Sequence, residues 1–233
     1  MMMAAIGHGP AGDSVLSAVQ QQQLATVLEL LERDEHAPTA IRDPEEAARA
    51  HIADSLAALE LEVVRDARRI ADLGSGAGFP GLALAVALPH AQVSLVESQR
   101  RKCEFLERVC AAAEIENASV EWTRAEEWRE GVSRNDLVVA RALAPQAVVL
   151  EYAAPPLRVG GALVDWRGRR SAEDEAQAQR AAEVLGLRRQ AIRRVTPFAD
   201  ATDRHLHVFT KVDETTPRFP RRAGIARKRP LGA

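Results

Sequence analysis

Several absences narrow the reading of this 233-residue chain before any motif is considered. No segment approaches the run of about 18 apolar residues that spans a bilayer, which excludes a helical membrane protein. Met1 to Asp13 lacks the basic start and apolar stretch of a secretory signal, so a cytoplasmic location is expected. Cysteine occurs only twice, at Cys103 and Cys110. Seven positions apart on one helix, they stand about 10 Å from each other, beyond disulfide reach. Neither has a His or Cys at zinc-ligand spacing, so two buried free thiols and no metal are expected. Aromatic residues are only 4% of the chain, a compositional habit that carries no functional information.

What is present suits one sizeable α/β domain with a short extension. Hydrophobic residues make up 46% and charged residues 27%. The net charge of −2 conceals an asymmetry. From Thr215 onward there are six basic residues (Arg218, Arg221, Arg222, Arg227, Lys228, Arg229) and no acids, which leaves −8 over positions 1–214. An acidic body with a basic tail points to a polyanionic partner met by the tail, unless the tail is only a solvated end.

The first 62 residues read as a helical extension. Leu16, Val19, Leu24, Val27, Leu28 and Leu31 recur at helical spacing, and Pro38 ends the run. A second helix begins near Asp43-Pro44-Glu45-Glu46, an N-cap followed by proline and acids, and runs to about Leu61. Over 63–214 the pattern becomes alternating strands and helices. Strands are expected at Arg69–Leu73, Gln92–Val96, Ser119–Thr123, Leu137–Ala140 and Ala162–Asp165, with helices near 81–88, 99–113, 125–130, 145–157 and 172–186. Five such alternations indicate a parallel sheet covered on both faces. Arg188–Val195 and His205–Val212 follow as two strands joined so closely that they are antiparallel neighbours. This is the layout of class I methyltransferases, although patterning alone leaves other doubly wound folds open. Residues 215–233 form the basic tail.

The segment Asp72-Leu73-Gly74-Ser75-Gly76-Ala77-Gly78-Phe79-Pro80-Gly81 joins a strand to a helix through four glycines. Glycine lets a ligand lie against the backbone with no Cβ between them. Glu97 ends the next strand, where a carboxylate can accept both ribose hydroxyls of an adenosine. Gly76-x-Gly78-x-x-Gly81 also matches the dinucleotide fingerprint, so the glycines alone do not choose between NAD and S-adenosylmethionine. A short-chain reductase would pair a catalytic tyrosine with a lysine four residues on. The only tyrosine, Tyr152, has Pro156 there. Nor is there room after the sheet for a separate substrate domain.

From about Thr39 to Leu231 the sequence resembles the bacterial small-subunit rRNA guanine-N7 methyltransferases, the glucose-inhibited division protein B family. The resemblance rests on Ile41-Arg42-Asp43-Pro44, His51-Ile52-x-Asp54-Ser55-Leu56, the glycine loop with its Pro80-Gly81 ending, Leu95-Val96-Glu97-Ser98 with Arg101-Lys102 and Phe105-Leu106, Arg124-Ala125-Glu126-Glu127, and Val139-Ala140-Arg141-Ala142. The tail, Pro217-Arg218-Phe219-Pro220-Arg221-Arg222-Ala223-Gly224 and then Lys228-Arg229-Pro230-Leu231, is similar as well. The chain departs from the family at Pro38-Thr39-Ala40-Ile41, where Asn-Leu is usual, and at Trp166-Arg167-Gly168, where Leu-Lys-Gly is typical. Arg167 keeps a lysine's charge but not its shape.

The resemblance implies a class I S-adenosylmethionine-dependent fold, mostly parallel with an antiparallel C-terminal strand, and methyl transfer to a guanine N7 of 16S rRNA in the small ribosomal subunit. It places Gly74 and Phe79 against S-adenosylmethionine, with Gly76 and Gly78 permitting the approach, Glu97 at the ribose and Ala125-Glu126 at the adenine. Arg141 falls at the mouth of the site, as a catalytic and cofactor-binding residue that meets the methionine carboxylate, an RNA phosphate or guanine O6, or else as a surface ion pair. N7 carries a lone pair and no proton, so the absence of an evident nucleophile–base pair is consistent. His51 and Asp54, three apart on one helical face, read either as part of the site entrance or as a packing pair. Trp122, Trp128 and Trp166 are candidates to stack a base, or to fill the core. Arg188, Arg189, Arg193 and Arg194 either touch RNA phosphate or protect an edge strand. The tail is expected to order only on RNA, so that its deletion spares cofactor binding. Two other functions compete: a class I methyltransferase with another nucleic-acid or small-molecule acceptor, and a non-catalytic RNA-binding assembly factor.

Overall fold

The computed structural model describes residues 16–35, 37–41 and 43–233. The Met1–Asp13 lead and Arg42 of the Ile41–Pro44 motif lie outside the described residues. Helix α1 (Ala18–Arg33) starts at Ser17, which forms a capping box with Gln20, and buries Leu24, Val27, Leu28 and Leu31. Val19, expected on the same face, is instead 70% exposed, because the helical turn carries it away from the stripe of Leu24, Val27, Leu28 and Leu31. Helix α2 (Pro44–Ala47) is capped by the Asp43 carboxylate, which accepts the Glu46 N–H at 2.7 Å. The helical path then widens into a π-turn over Ala48–Ala53, returns to α geometry in α3 (Asp54–Leu56) and tightens to a 3-10 turn over Ala57–Glu60. A short α4 (Glu62–Arg65) leads into the sheet.

Seven strands follow: β1 (Arg69–Leu73), β2 (Gln92–Glu97), β3 (Ala118–Trp122), β4 (Asn135–Arg141), β5 (Leu157–Arg167), β6 (Leu187–Arg194) and β7 (His205–Lys211). Between them lie α5 (Gly81–Ala87), α6 (Arg100–Ala112), α7 (Gln146–Ala153) and α8 (Ala172–Val184), and α9 (Ile225–Lys228) comes last. The expected helix at 125–130 is a single 3-10 turn, Ala125–Glu127. The sheet order is β3-β2-β1-β4-β5-β7-β6, with β7 antiparallel to both neighbours and the other pairings parallel. The chain turns from one direction of winding to the other between β1 and β4, so a crevice opens at the carboxyl ends of those two strands.

Alternation along β4 divides the core. Leu137 and Val139 join the apolar cluster beneath α1, α5 and α6, while Val138 and Ala140 join the one beneath α7 and α8. The C-terminal segment belongs to that second cluster, which contains Phe219 and Ala226. The expectation that the tail orders only on RNA is therefore corrected. Arg221 reaches the fully buried Glu151 on α7 through its backbone N–H, Nε and Nη2, with contacts from 2.5 to 3.1 Å. Farther on, Gln177 and Arg180 of α8 donate to the carbonyls of Leu231 and Gly232. Burial of Phe219 and neutralisation of Glu151 give the segment a folded place without RNA. Cys103 is buried and Cys110 half-buried, and both are free thiols. No described helix is long and apolar enough to cross a membrane.

Candidate active site

β1 delivers the chain to the crevice, and the loop after it is fixed by backbone bonds: Gly74 N–H donates to Val96 O at 2.8 Å and Gly78 N–H to Ser75 O at 2.7 Å. Gly76 has φ +58° and faces space in which an added Cβ would meet only Gly74 O, at 3.7 Å, so the loop presents bare backbone to the crevice. Gly81 is needed for a different reason. A Cβ there would overlap Leu95 and the Asp72 carboxyl, which accepts the Gly81 N–H at 3.0 Å.

Asp72 is buried, and desolvation pushes its carboxyl from an ordinary 3.8 up to about 7, against the opposing pull of the Gly81 N–H and Arg141. Because the native value is raised, this group's contribution to stability is full below pH 3.8 and is lost as pH rises toward about 7. Asp72→Asn, whose amide oxygen can still accept the Gly81 N–H, is expected to gain on the wild type by about 1.4 kcal/mol per pH unit between those limits. Urea denaturation across that range measures it, and parallel stability curves would contradict the assignment.

Two cavities meet at Gly74. The larger, about 620 Å³, runs from the glycine loop across Phe79, His51, Asp54 and Arg141 to Trp166 and Arg167. The smaller, about 70 Å³, lies between Ser98, Ala125, Glu126, Leu143, Tyr152 and Arg227. Glu97 is buried at the end of β2, where one carboxyl oxygen accepts the Gly76 N–H (3.1 Å) and the other the Gln99 N–H (2.8 Å). Gly78 does not face the larger cavity. It lies over Leu82 and Leu106 at φ +98° and shapes the turn from beneath.

Arg141 ends β4 and is held on several sides. Nη1 donates to Ala50 O and to Asp54 Oδ2, both at 3.0 Å, and Nη2 lies 3.3 Å from His51 Nδ1. Asp54 also faces Arg204 Nε at 3.4 Å, so one buried carboxylate holds two arginines. Burial, followed by the Arg141 charge, lowers His51 to about 4, so its ring is neutral at pH 7. With Nδ1 accepting from Arg141, the ring proton sits on Nε2 and is donated to Thr39 Oγ1 at 3.0 Å. The ring stacks on Phe79 with centroids 4.9 Å apart and planes within 8°. The π-turn that carries His51 is a geometry often found at functional sites.

The residues singled out in the sequence thus divide. Gly74, Gly76, Phe79, Arg141, His51 and Asp54 line the larger cavity, Ala125 and Glu126 line the smaller one, and Glu97 bonds the loop between them. Trp166 is buried and donates to Asp54 O (2.9 Å), Trp128 is buried, and Trp122 is exposed outside both cavities. Arg167 lines the larger cavity, tied to Asp165 and Ala144 O. Sequence reasoning missed Arg204, Tyr152 and Arg227 as cavity residues. Arg204 has no local signature, and Arg227 was read only as part of a charge run.

Comparison with known proteins places this geometry. Residues 20–207 match the family model described as GidB, rRNA small subunit methyltransferase G. The chain belongs to this family. Similar relatives are named ribosomal RNA small subunit methyltransferase G. That of Pelotomaculum thermopropionicum is 36% identical over 196 residues, 83% of this chain and 82% of the relative. That of Chloroflexus aggregans is 39% identical over 196 residues, again 83% and 82%. Among solved structures, Aeropyrum pernix fibrillarin with bound S-adenosyl-L-methionine aligns with a TM-score of 0.55 at 22% identity, over 68% of this chain and 73% of that one. Geobacter metallireducens precorrin-6y C5,15-methyltransferase aligns at 0.52 and 16% identity, over 78% and 96%. At such identities these structures establish the fold, that of a class I methyltransferase.

Proposed function

We propose that the protein transfers a methyl group from S-adenosylmethionine to N7 of a guanine in 16S rRNA, acting in the cytoplasm on the small ribosomal subunit. The observation that carries this reading, within a family named for rRNA methylation, is the pair of cavities joined at Gly74: a small one for a base and a larger one that continues past a cation. The residues fit the cofactor. Bare backbone at Gly76 can lie against it, the Glu97 carboxyl retains acceptor capacity for ribose hydroxyls, and the buried Tyr152 hydroxyl near Glu126 makes no hydrogen bond of good geometry among the described residues.

S-adenosylmethionine supplies, when bound, a methyl group on a sulfonium. Guanine N7 has a lone pair and no proton to lose, so no side chain has to act as base. The chain's task is placement and charge. Gly74, Gly76 and Gly78 set the loop, Phe79 braces it under His51, Glu97 holds the ribose, and Ala125 with Glu126 receives the adenine. Arg141, beside Phe79, meets the methionine carboxylate and keeps the cavity positive. A neutral His51 accepts from Arg141 and adds no charge of its own. For the RNA, the tail presents Arg218, Arg222, Lys228 and Arg229 to solvent, and the edge strand β6 presents Arg188, Arg193 and Arg194.

Transfer of labelled methyl to purified small subunits lacking their own N7 methylation tests the proposal. Label at a single guanine is the expected result. Label on no RNA by a protein that still binds cofactor would move the acceptor elsewhere.

A further inference from the structure

The smaller cavity has a wall that the glycine loop and sheet do not provide. Gly224, at φ +81°, donates its N–H to Glu126 Oε1 at 3.2 Å. The same oxygen accepts from Arg124 Nη2 at 3.2 Å. One turn on, Arg227 crosses the cavity edge and donates from Nη2 to Leu143 O at 2.8 Å. The Tyr152 hydroxyl lies near Arg227 and Glu126, is buried, and makes no hydrogen bond of good geometry. A buried hydroxyl without a partner carries a desolvation cost that a ligand's polar atom would relieve.

We infer that the C-terminal segment is a wall of the adenine subsite, with Gly224 and Arg124 holding the Glu126 carboxylate toward the exocyclic amine, Arg227 closing over the base and Tyr152 donating to a ring nitrogen. This rests on the reading of the cavities as a site for S-adenosylmethionine. The segment is held in place on both sides of α9. Arg221 is paired with Glu151 and Phe219 is buried before it, and the carbonyls of Leu231 and Gly232 are held by α8 after it. The basic tail then serves the cofactor as well as the RNA. Removing 215–233 lowers cofactor affinity, the reverse of what the sequence suggested.

Calorimetric titration with S-adenosylhomocysteine tests this without turnover. Arg227→Ala is expected to bind about tenfold more weakly than the wild type, the scale of one charge-assisted hydrogen bond. Arg227→Lys should recover part of the loss. Tyr152→Phe should also weaken binding several-fold while its unliganded melting temperature holds, since among the described residues its hydroxyl makes no hydrogen bond of good geometry. Wild-type affinity in Arg227→Ala overturns the inference, and so does wild-type affinity in Tyr152→Phe. A wild-type protein that binds no S-adenosylhomocysteine overturns the cofactor reading itself, a result distinguishable from either variant's.

Discussion

Arg141→Ala is expected to lower kcat/KM for methyl transfer by about a hundredfold, the scale of removing one preorganised electrostatic group from an active site. Arg141 is the charge at the end of β4, and its side chain is only 17% exposed. Asp54, Ala50 O and His51 fix its direction, so the charge waits at the cavity and need not be recruited. Arg141→Lys should restore little, because one ammonium on a flexible stem cannot reproduce a planar fork that reaches three partners. The effect belongs to the site and not to folding if Asp54, still facing Arg204, keeps the variant's melting temperature close to the wild type's. Turnover on small subunits within a few-fold of wild type would show that Arg141 is an ion pair and nothing more.

The second large effect is on stability. Glu151 is fully buried, and Arg221 is its ionic partner. Arg221→Ala leaves that carboxylate without its counter-charge, with only the backbone N–H of residue 221 retained, and is expected to cost about 3 kcal/mol. In a chain of this size that corresponds to a fall in melting temperature of roughly 6–12 °C. Replacing both partners with apolar residues, Arg221→Met with Glu151→Leu, should recover part of the loss, because the lone buried charge is gone while the backbone N–H of residue 221 loses its acceptor. Chemical denaturation decides it. A single variant as stable as the wild type would mean that the C-terminal segment does not pack on α7.

Much of this architecture was legible in the sequence, for a physical reason. Strands buried on both faces must be short apolar runs, and helices that cover them carry periodic stripes, so the β1 to β5 alternation showed through. So did the reversal at β7, because His205–Lys211 follows Leu187–Arg194 across too short a link for a crossover. The glycine loop announced itself because glycines at 74, 76, 78 and 81, closely spaced between a strand and a helix, weaken packing unless the bare backbone has a use. Properties that depend on distant partners did not show. Arg221 and Glu151 are 70 positions apart, and a run of arginines reads as a solvated tail until the buried acid is seen. The π-turn at Ala48–Ala53 is a shift in hydrogen-bond register with no residue signature. Tyr152 served only to argue against a reductase, though it is the single tyrosine and lines the smaller cavity.

The methyl acceptor proposed for this cleft is the lone pair on guanine N7. This assignment is tested most directly by comparing transfer to reassembled small subunits that carry guanine, or 7-deazaguanine, at the mapped position. The account predicts methyl incorporation with guanine and none with 7-deazaguanine, which has a C–H where N7 would be. Equal incorporation into both would place the methyl on another atom and contradict the account.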